Sequence, residues 1–249
     1  MLRVVLLLVA GAVSGMVGSA GGTTSLIAYP AMLAAGLTPL AANVTSAVAF
    51  LANWPGSALG GRPELSGQGP WLRRWSPLAG LASALGAGLL LVTPATAFNR
   101  IAPFLLALAA VALLAQPRIS AWLARGDGTG APRGVLPIGL GLCALYDGYW
   151  GAGAGIMTLS VLMITTGLRF AQANALKNMV LGIADAACCA VFLVFWPVDW
   201  AAAVPLGLGI LLGSALGPAV TRRVPPAAAR ITSACIGLGL AVCLWAGVT

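Results

Sequence analysis

The sequence predicts an all-α membrane protein in which two helical bundles form an inverted-topology repeat. Of its 249 residues, 60% are hydrophobic and 7% are charged, whereas soluble domains usually carry about 25% charged residues. Apolar stretches reach or approach the ~20 residues that a helix needs to cross a bilayer; they cover residues 76–92, 96–115, 135–167, 170–195 and 200–219. In addition, the sequence repeats itself at a constant offset, and the arginine-bearing loops differ between the two copies.

The lipid bilayer is therefore the expected partner of the chain, and helices cross it. Strands of a transmembrane barrel would alternate apolar and polar residues over ~10-residue segments, and no such alternation occurs in the sequence. The net charge of +8 does not indicate nucleic-acid binding, because the arginines stand singly or in pairs at segment ends and form no clustered basic face. These arginines are interpreted as topology signals.

Residues 1–18 are similar to a signal peptide, because Arg3 precedes an apolar run and small residues. The apolar, glycine-rich pattern continues to Gly36 and has an internal counterpart, so we expect this segment to belong to the mature protein. The five cysteines lie in apolar segments without C-x-x-C spacing, which favours buried packing residues over a disulfide framework or a metal site. They are Cys143, Cys188, Cys189, Cys235 and Cys243.

A shift of 131 positions aligns the two halves of the chain. It places Gly22 on Gly153, and it places the pair Ala42-Asn43 on Ala173-Asn174. It also places 81–86 on 212–217, with Ser-Ala-Leu-Gly identical in both. Scattered Ala and Gly matches mean little in so biased a composition, but matched blocks at one offset indicate a duplication. The predicted units are a first repeat at 1–115, a cytoplasmic linker at 116–134 and a second repeat at 135–249.

The arginines predict that equivalent loops lie on opposite sides of the membrane. They mark the 61–75 loop, the 116–134 linker and the 220–226 loop as cytoplasmic. The 196–200 loop has no basic residue and is expected outside. Each half then crosses an odd number of times, as an inverted repeat requires, and both termini are expected outside a bacterial inner membrane. Arg3, a basic residue on the expected outer side, opposes this orientation.

The first part of each repeat, 4–36 and 137–167, is too long for one helix. Its glycine cluster leaves ~14–16 residues on either side, or ~21–24 Å of helix, which is shorter than the ~30 Å hydrocarbon core. Two short crossings or one re-entrant hairpin would both leave each half with an odd number of membrane crossings. Glycine-rich backbone at membrane depth favours a broken helix or a hairpin that lines a cavity. The chain then has about 8 membrane segments, or about 10 if the hairpin arms are counted.

The glycine clusters predict a site for a small anion. Glycine exposes backbone N–H groups, and a helix that follows adds the positive end of its dipole. Close packing of small residues in lipid would produce similar clusters. Two clusters at equivalent repeat positions, each before a helix that carries asparagine, favour binding. The candidates are Gly21, Gly22, Thr23, Thr24 and Ser25 in the first cluster, and Gly151, Gly153 and Gly155 in the second.

The helices that follow the clusters carry further polar candidates. They are Asn43 and Ser46 in the first repeat, and Asn174, Lys177 and Asn178 on one helical face in the second. Lys177 is expected well below the interface, where a charge costs roughly 2.5–3.5 kcal/mol on insertion scales. It either snorkels to the cytoplasmic surface or pairs with Asp147, or it faces a wet cavity and attracts the transported anion while the amides donate hydrogen bonds.

Two carboxyl groups lie in the same apolar segments. Burial disfavours the charged form of a carboxyl, so Asp147 or Asp185 is a candidate for coupling transport to protons. Either is equally a candidate for a fixed ion-pair partner. The chain has no histidine, no G-x-S-x-G elbow, no metal-ligand cluster and no Walker-type loop. We therefore expect no enzyme activity, no cofactor and no ATP-driven pumping by this chain alone.

The same clusters resemble those of the sulfite exporter TauE/SafE family of membrane permeases. The first half carries Gly22-Thr-Thr-Ser25, Gly36-Leu-Thr-Pro39 and Ala42-Asn-Val-Thr45, and the second carries Tyr146-Asp-Gly148-Tyr-Trp-Gly151, Ala173-Asn-Ala-Leu-Lys-Asn178 and Arg222-Arg-Val-Pro-Pro226. The resemblance covers nearly the whole chain. Many relatives have Asn where this chain has Ser46, and Gly where it has Asp147. These departures fall at the expected site and bear on the substrate more than on the fold.

The resemblance implies a secondary permease that exports sulfite, organosulfonates or other small sulfur-containing anions. Alternating exposure of a midplane site would move the anion, and export and uptake stay equally open because direction depends on gradients. The alternative from another class is a non-transporting membrane scaffold or assembly subunit, in which the buried Lys and Asp are packing devices. A homodimer is also open, because small-residue faces abound in the sequence.

Overall fold

The computed structural model describes residues 2–20, 24–123 and 134–221, together with Cys235, Leu238, Gly239 and Val242. Most of the described residues are helical, as the sequence predicts for an all-α protein. The helices are α1 (Leu2–Ser19), α2 (Ser25–Ala34), α3 (Pro39–Phe50), α4 (Asn53–Gly60), α5 (Arg62–Leu65), α6 (Gly69–Val92), α7 (Ala95–Leu123), α8 (Val135–Tyr149), α9 (Ala154–Thr166), α10 (Phe170–Phe195) and α11 (Trp200–Thr221).

Several of these helices have the length and composition of membrane segments. Three of the described helices, α1, α6 and α10, are long and apolar enough to cross a bilayer. Shorter apolar helices are found at 25–34, 95–111, 135–149, 154–166 and 200–216. Large apolar side chains such as Leu81, Leu85 and Phe104 are more than 60% exposed, which suits a surface whose solvent is lipid. The prediction of a helical membrane protein is confirmed.

Both glycine clusters interrupt a helix, as predicted. The first separates α1 from α2, and the second separates α8 from α9. With 15 and 13 residues, the arms of the second pair are only ~22 and ~20 Å long. The Cβ position of Gly139 in α8 lies 2.9 Å from Cγ1 of Val161 in α9, so α9 packs back along α8 with the break at one end of the pair.

A third break was not predicted and has a simple cause. The first repeat divides into α3 and α4, whereas the equivalent stretch of the second repeat is the single helix α10. Pro55 lacks an N–H and its ring clashes with the carbonyl four residues earlier, and the shift of 131 places Ala186 at the equivalent position. The amides of Leu51 and Ala52 donate to carbonyls three residues earlier, at 3.3 and 3.1 Å, as in a tightened final turn.

The first helix of each half packs against a helix of the other half. The Cβ position of Gly11 in α1 lies 3.1 Å from Cα of Gly209 in α11, and that of Gly15 lies 2.8 Å from Cα of Ile210. In the same way α8 packs on α6. The Cβ position of Gly141 lies 3.8 Å from Cδ1 of Leu78, and that of Gly148 lies 2.9 Å from Cα of Ser83. The shift of 131 places α1 on α8 and α6 on α11, so helices at matching sequence positions form matching close pairs. Such close approach requires small residues.

An ion pair joins the beginning of α1 to the beginning of α11. Arg3 Nη2 donates to Asp199 Oδ2 at 2.7 Å, and the amide of Ala202 donates to Asp199 Oδ1 at 3.1 Å, so Asp199 also caps α11. The hydrogen bond from Arg3 lowers the pKa of Asp199. Both helices therefore begin at the same face of the molecule. Arg3, which opposed the predicted orientation, has an acidic partner there.

Some sequence-based expectations fall outside the described residues. They concern Cys243, the 220–226 loop beyond Thr221, the 124–133 part of the linker and the carboxyl terminus. Cys143, Cys188 and Cys189 are buried free thiols, as expected for packing residues. Cys235 is exposed, so the expectation of burial was wrong for it. A thiol is apolar enough to face lipid.

Candidate functional site

The two glycine breaks border one cavity of about 50 Å³. Eight predicted site residues line it: Thr24, Ser25, Asp147, Gly151, Gly155, Lys177, Asn178 and Asp185. A single water needs roughly 10–15 Å³ of such volume, so the cavity holds about three to five waters or one small oxyanion. Gly21, Gly22 and Thr23 lie outside the described residues.

Lys177 is the cation of this cavity, and its side chain is only 2% exposed. Its Nζ donates to the carbonyl of Gly18 at 3.2 Å. The amide nitrogens of Asn174 and Asn178 donate to the carbonyl of Ser19 at 3.0 and 3.4 Å. The last carbonyls of a helix have no partner within it and form the negative end of its dipole. The three side chains thus share one task, which is to stabilise the carboxyl end of α1.

This arrangement differs from both simple explanations of Lys177. The ammonium does not snorkel, since the side chain is buried. Among the described residues it forms no ion pair with Asp147, and the ion pair found there is the one between Arg3 and Asp199. An ammonium has three N–H donors, and the single bond to Gly18 leaves donors for a molecule in the cavity.

In the first half of the chain, a single asparagine donates to the carboxyl end of a helix in the same way. Asn43 Nδ2 donates to the carbonyl of Tyr149, the last residue of α8, at 3.2 Å. Asn43 and Asn174 thus hold helix ends, and neither lines the cavity. Ser46, at the position equivalent to Lys177, donates to the carbonyls of Ala42 and Asn43 within its own helix. None of these three predicted site residues lines the cavity.

The second break is held by aromatic side chains and by one glycine. Tyr146 Oη donates to the carbonyl of Ala152 at 2.8 Å across the break. The Trp150 ring packs against the rings of Tyr29 and Phe98, with centroids 5.1 and 5.3 Å apart. Gly153 has φ = +88°, a left-handed conformation that side chains disfavour. It does not line the cavity, but it turns the chain so that α9 begins at the cavity wall.

Two helices begin at the cavity. Ser25 is the first residue of α2 and Gly155 the second of α9, and both line the cavity. The first amides of a helix lack intrahelical partners and carry the positive end of its dipole. Together with Lys177 they bring positive charge to the cavity, which suits an anion; that the cavity binds one stays a prediction.

The opposite charge is also present. Asp147 and Asp185 are partly buried and line the same cavity. Asp147 Oδ2 and Asn53 Oδ1 are buried and have no hydrogen-bond donor among the residues that the structure describes. The cavity therefore combines one ammonium, two carboxyl groups and an amide oxygen.

Four lining residues escaped the sequence-based prediction: Gly18, Phe50, Asn53 and Leu181. The shift of 131 aligns Phe50 with Leu181, so the repeat could have identified this apolar pair. Asn53 stands two residues before Pro55 in an apolar stretch, and a polar residue next to a helix break is a usable signal. Gly18 begins the first glycine cluster and contributes its carbonyl.

Comparison with known proteins agrees with this architecture. The family model for sulfite exporter TauE/SafE matches residues 4–244. A protein named "Probable membrane transporter protein ORF9", from Sinorhizobium sp., is 28% identical over 220 residues, which cover 85% of this chain and 80% of the relative. No solved structure matches the chain.

Proposed function

The chain belongs to the sulfite exporter TauE/SafE family, and on that premise we propose that it carries a small sulfur-containing anion, such as sulfite or an organosulfonate, across the bacterial inner membrane. Members of this family are membrane transporters and not enzymes, and the matched relative is named as a transporter. The chain is accordingly a multi-pass membrane permease. The substrate and the mechanism are the parts that we propose.

The observation that carries the proposal is the buried Lys177 in a small cavity where both glycine breaks meet. In our proposal its free N–H donors, the amide of Asn178 and the first amides of α2 and α9 bind the anion. A volume of about 50 Å³ suits a few heavy atoms, which favours sulfite over bulky sulfonates in this conformation. Gly21, Gly22 and Thr23, which the sequence predicts as site residues, complete the proposed anion site.

The residues that do not line the cavity take positioning roles. Asn43 and Asn174 hold the carboxyl ends of α8 and α1 through their bonds to Tyr149 and Ser19. These bonds fix the position of each glycine break relative to the helix that carries the asparagine. Gly153 supplies the left-handed turn into α9. Ser46 bonds within its own helix, and we assign it no contact with the anion.

Alternating access by two inverted halves is the proposed mechanism. The pairs α1–α11 and α8–α6 support this mechanism, because in both pairs the first helix of one half packs against the same kind of helix in the other half. In this arrangement α1–α2 and α8–α9 are re-entrant hairpins, each half crosses three times, and both termini are outside. The shared face of Arg3 and Asp199 supports that orientation, since both belong to the side that the arginine-free 196–200 loop assigns to the outside.

Counterflow in proteoliposomes tests the function. Vesicles that contain the purified protein are loaded with unlabelled sulfite and diluted into labelled sulfite. We expect a transient accumulation of label that protein-free vesicles lack. Sulfate and methanesulfonate are tested in the same way, with chloride as a control. If none of the sulfur-containing anions accumulates, the transport proposal fails, and a scaffold or assembly role becomes the better explanation.

A further inference from the structure

The net charge of the side chains that line the cavity is unfavourable for an anion when both carboxyl groups are ionised. Lys177 contributes one positive charge, and Asp147 and Asp185 contribute two negative charges when both are ionised. The two carboxyl groups are close enough for their charges to interact. With both ionised, the cavity carries a net negative charge and opposes the ligand that the helix amino termini and Lys177 attract.

Two buried acceptors in the wall of this cavity have no hydrogen-bond donor among the described residues. Within the described part of the chain, Asp147 Oδ2 and Asn53 Oδ1 are buried and accept no hydrogen bond. Lys177 and Asn178 each use one donor on a backbone carbonyl, that of Gly18 and that of Ser19 respectively. A buried acceptor without a donor is costly. A proton on a carboxyl group would supply a donor to this wall and remove one negative charge.

The neighbouring elements offer little other means of neutralising the pair. In the described residues α1, α2, α4, α6 and α9 direct no acidic or basic side chain into the cavity. The remaining ionisable groups near the pair are Cys143 and Tyr146 on α8 and Cys188 and Cys189 on α10. None of them carries a positive charge. Of the described residues that line the cavity, Lys177 alone is a cation.

We infer that an anion occupies this cavity together with a proton on the Asp147–Asp185 pair, so that the protein carries the anion and a proton in the same direction. The inference rests on the proposed function, because it concerns the same site. One ionised carboxylate ~5 Å from the anion, at an effective dielectric constant of ~20, would weaken binding by roughly 200-fold. Protonation of the pair is therefore a condition for tight binding.

The test compares sulfite affinity in the wild type and in the double variant Asp147→Asn/Asp185→Asn from pH 6 to pH 9. Calorimetry on detergent-solubilised protein gives both dissociation constants. Their ratio cancels the titration of sulfite itself, because both proteins meet the same anion. We expect the ratio of the wild-type to the variant constant to rise ~10-fold per pH unit over at least one unit. Asp199→Asn, outside the cavity, is the matched control and should behave as the wild type.

The possible results are distinct. A ratio that stays constant within about twofold over this pH range overturns the inference, while binding itself leaves the transport proposal intact. If the wild type neither binds nor exchanges any of the tested anions, it is the proposed function that fails. If the double variant does not elute as a folded protein, the single variant Asp185→Asn is used with the same criterion, because one carboxylate fewer already reduces the pH dependence.

Discussion

Replacing Lys177 by methionine would remove the ammonium from the cavity and keep a long, unbranched side chain in its place. The ammonium is buried and bound to the carbonyl of Gly18 at 3.2 Å, and the cavity of about 50 Å³ keeps any bound anion close to it. At a separation of ~5 Å and an effective dielectric constant of ~20, the attraction is about 3 kcal/mol. We therefore expect sulfite to bind about 200-fold more weakly to the variant.

Calorimetry at pH 6.5 and counterflow in proteoliposomes measure this loss. The matched control is Arg169→Met, which removes one positive charge from the exposed residue that precedes α10. Its sulfite affinity should stay within about threefold of the wild type, because an exposed charge is screened by solvent and salt. The reasoning is refuted if the folded Lys177→Met protein also stays within that limit, since the ammonium would then serve only to stabilise the end of α1.

Three further predictions follow from separate features. Lys177 is the sole lysine of the chain, so sulfite should slow its modification by an amine-reactive reagent, as mass spectrometry of the labelled peptide would show; equal rates with and without sulfite would contradict its place in the site. Gly15→Ala should destabilise the protein by about 1–3 kcal/mol, because its Cβ would meet the backbone of α11, whereas Gly88→Ala has open space and should leave the melting temperature in detergent unchanged. The bond from Arg3 lowers the pKa of Asp199. The ion pair therefore stabilises the protein above the ordinary carboxyl pKa of about 4, and this stabilisation is lost as the pH falls through the folded-state pKa. On acidification the wild type should lose more thermal stability than Asp199→Asn, by a small margin because the pair is exposed.

The membrane fold and the position of the cavity followed from the sequence because they depend on composition and on glycine. Apolar length predicted the helices, and glycine clusters predicted where they break. The break between α3 and α4 was missed because Pro55 acts on one copy of a repeat whose other copy has Ala186. A comparison of the copies at that position would have found it.

The roles of the polar residues were less accessible to sequence reasoning. A helical face with Asn174 and Lys177 reveals donors, and it does not reveal which acceptors a distant part of the chain brings to them. The acceptors are carbonyls at the end of α1, between 155 and 159 residues away. Backbone carbonyls have no signature in the sequence, so the alternatives considered for Lys177 did not include a bond to the end of α1.

The contacts of α1 with α10 and α11 constrain the order in which the protein can be assembled. The donor of the Gly18 carbonyl is Lys177, which lies 159 residues later in the chain. At ordinary translation rates it is synthesised roughly 8–32 s after Gly18. Until then the end of α1 has unsatisfied carbonyls, and lipid offers no donor to replace the missing ones. The end of α1 therefore acquires its side-chain donors only after α10 has been made. Neither half, made alone, contains the helix that its own first segment needs.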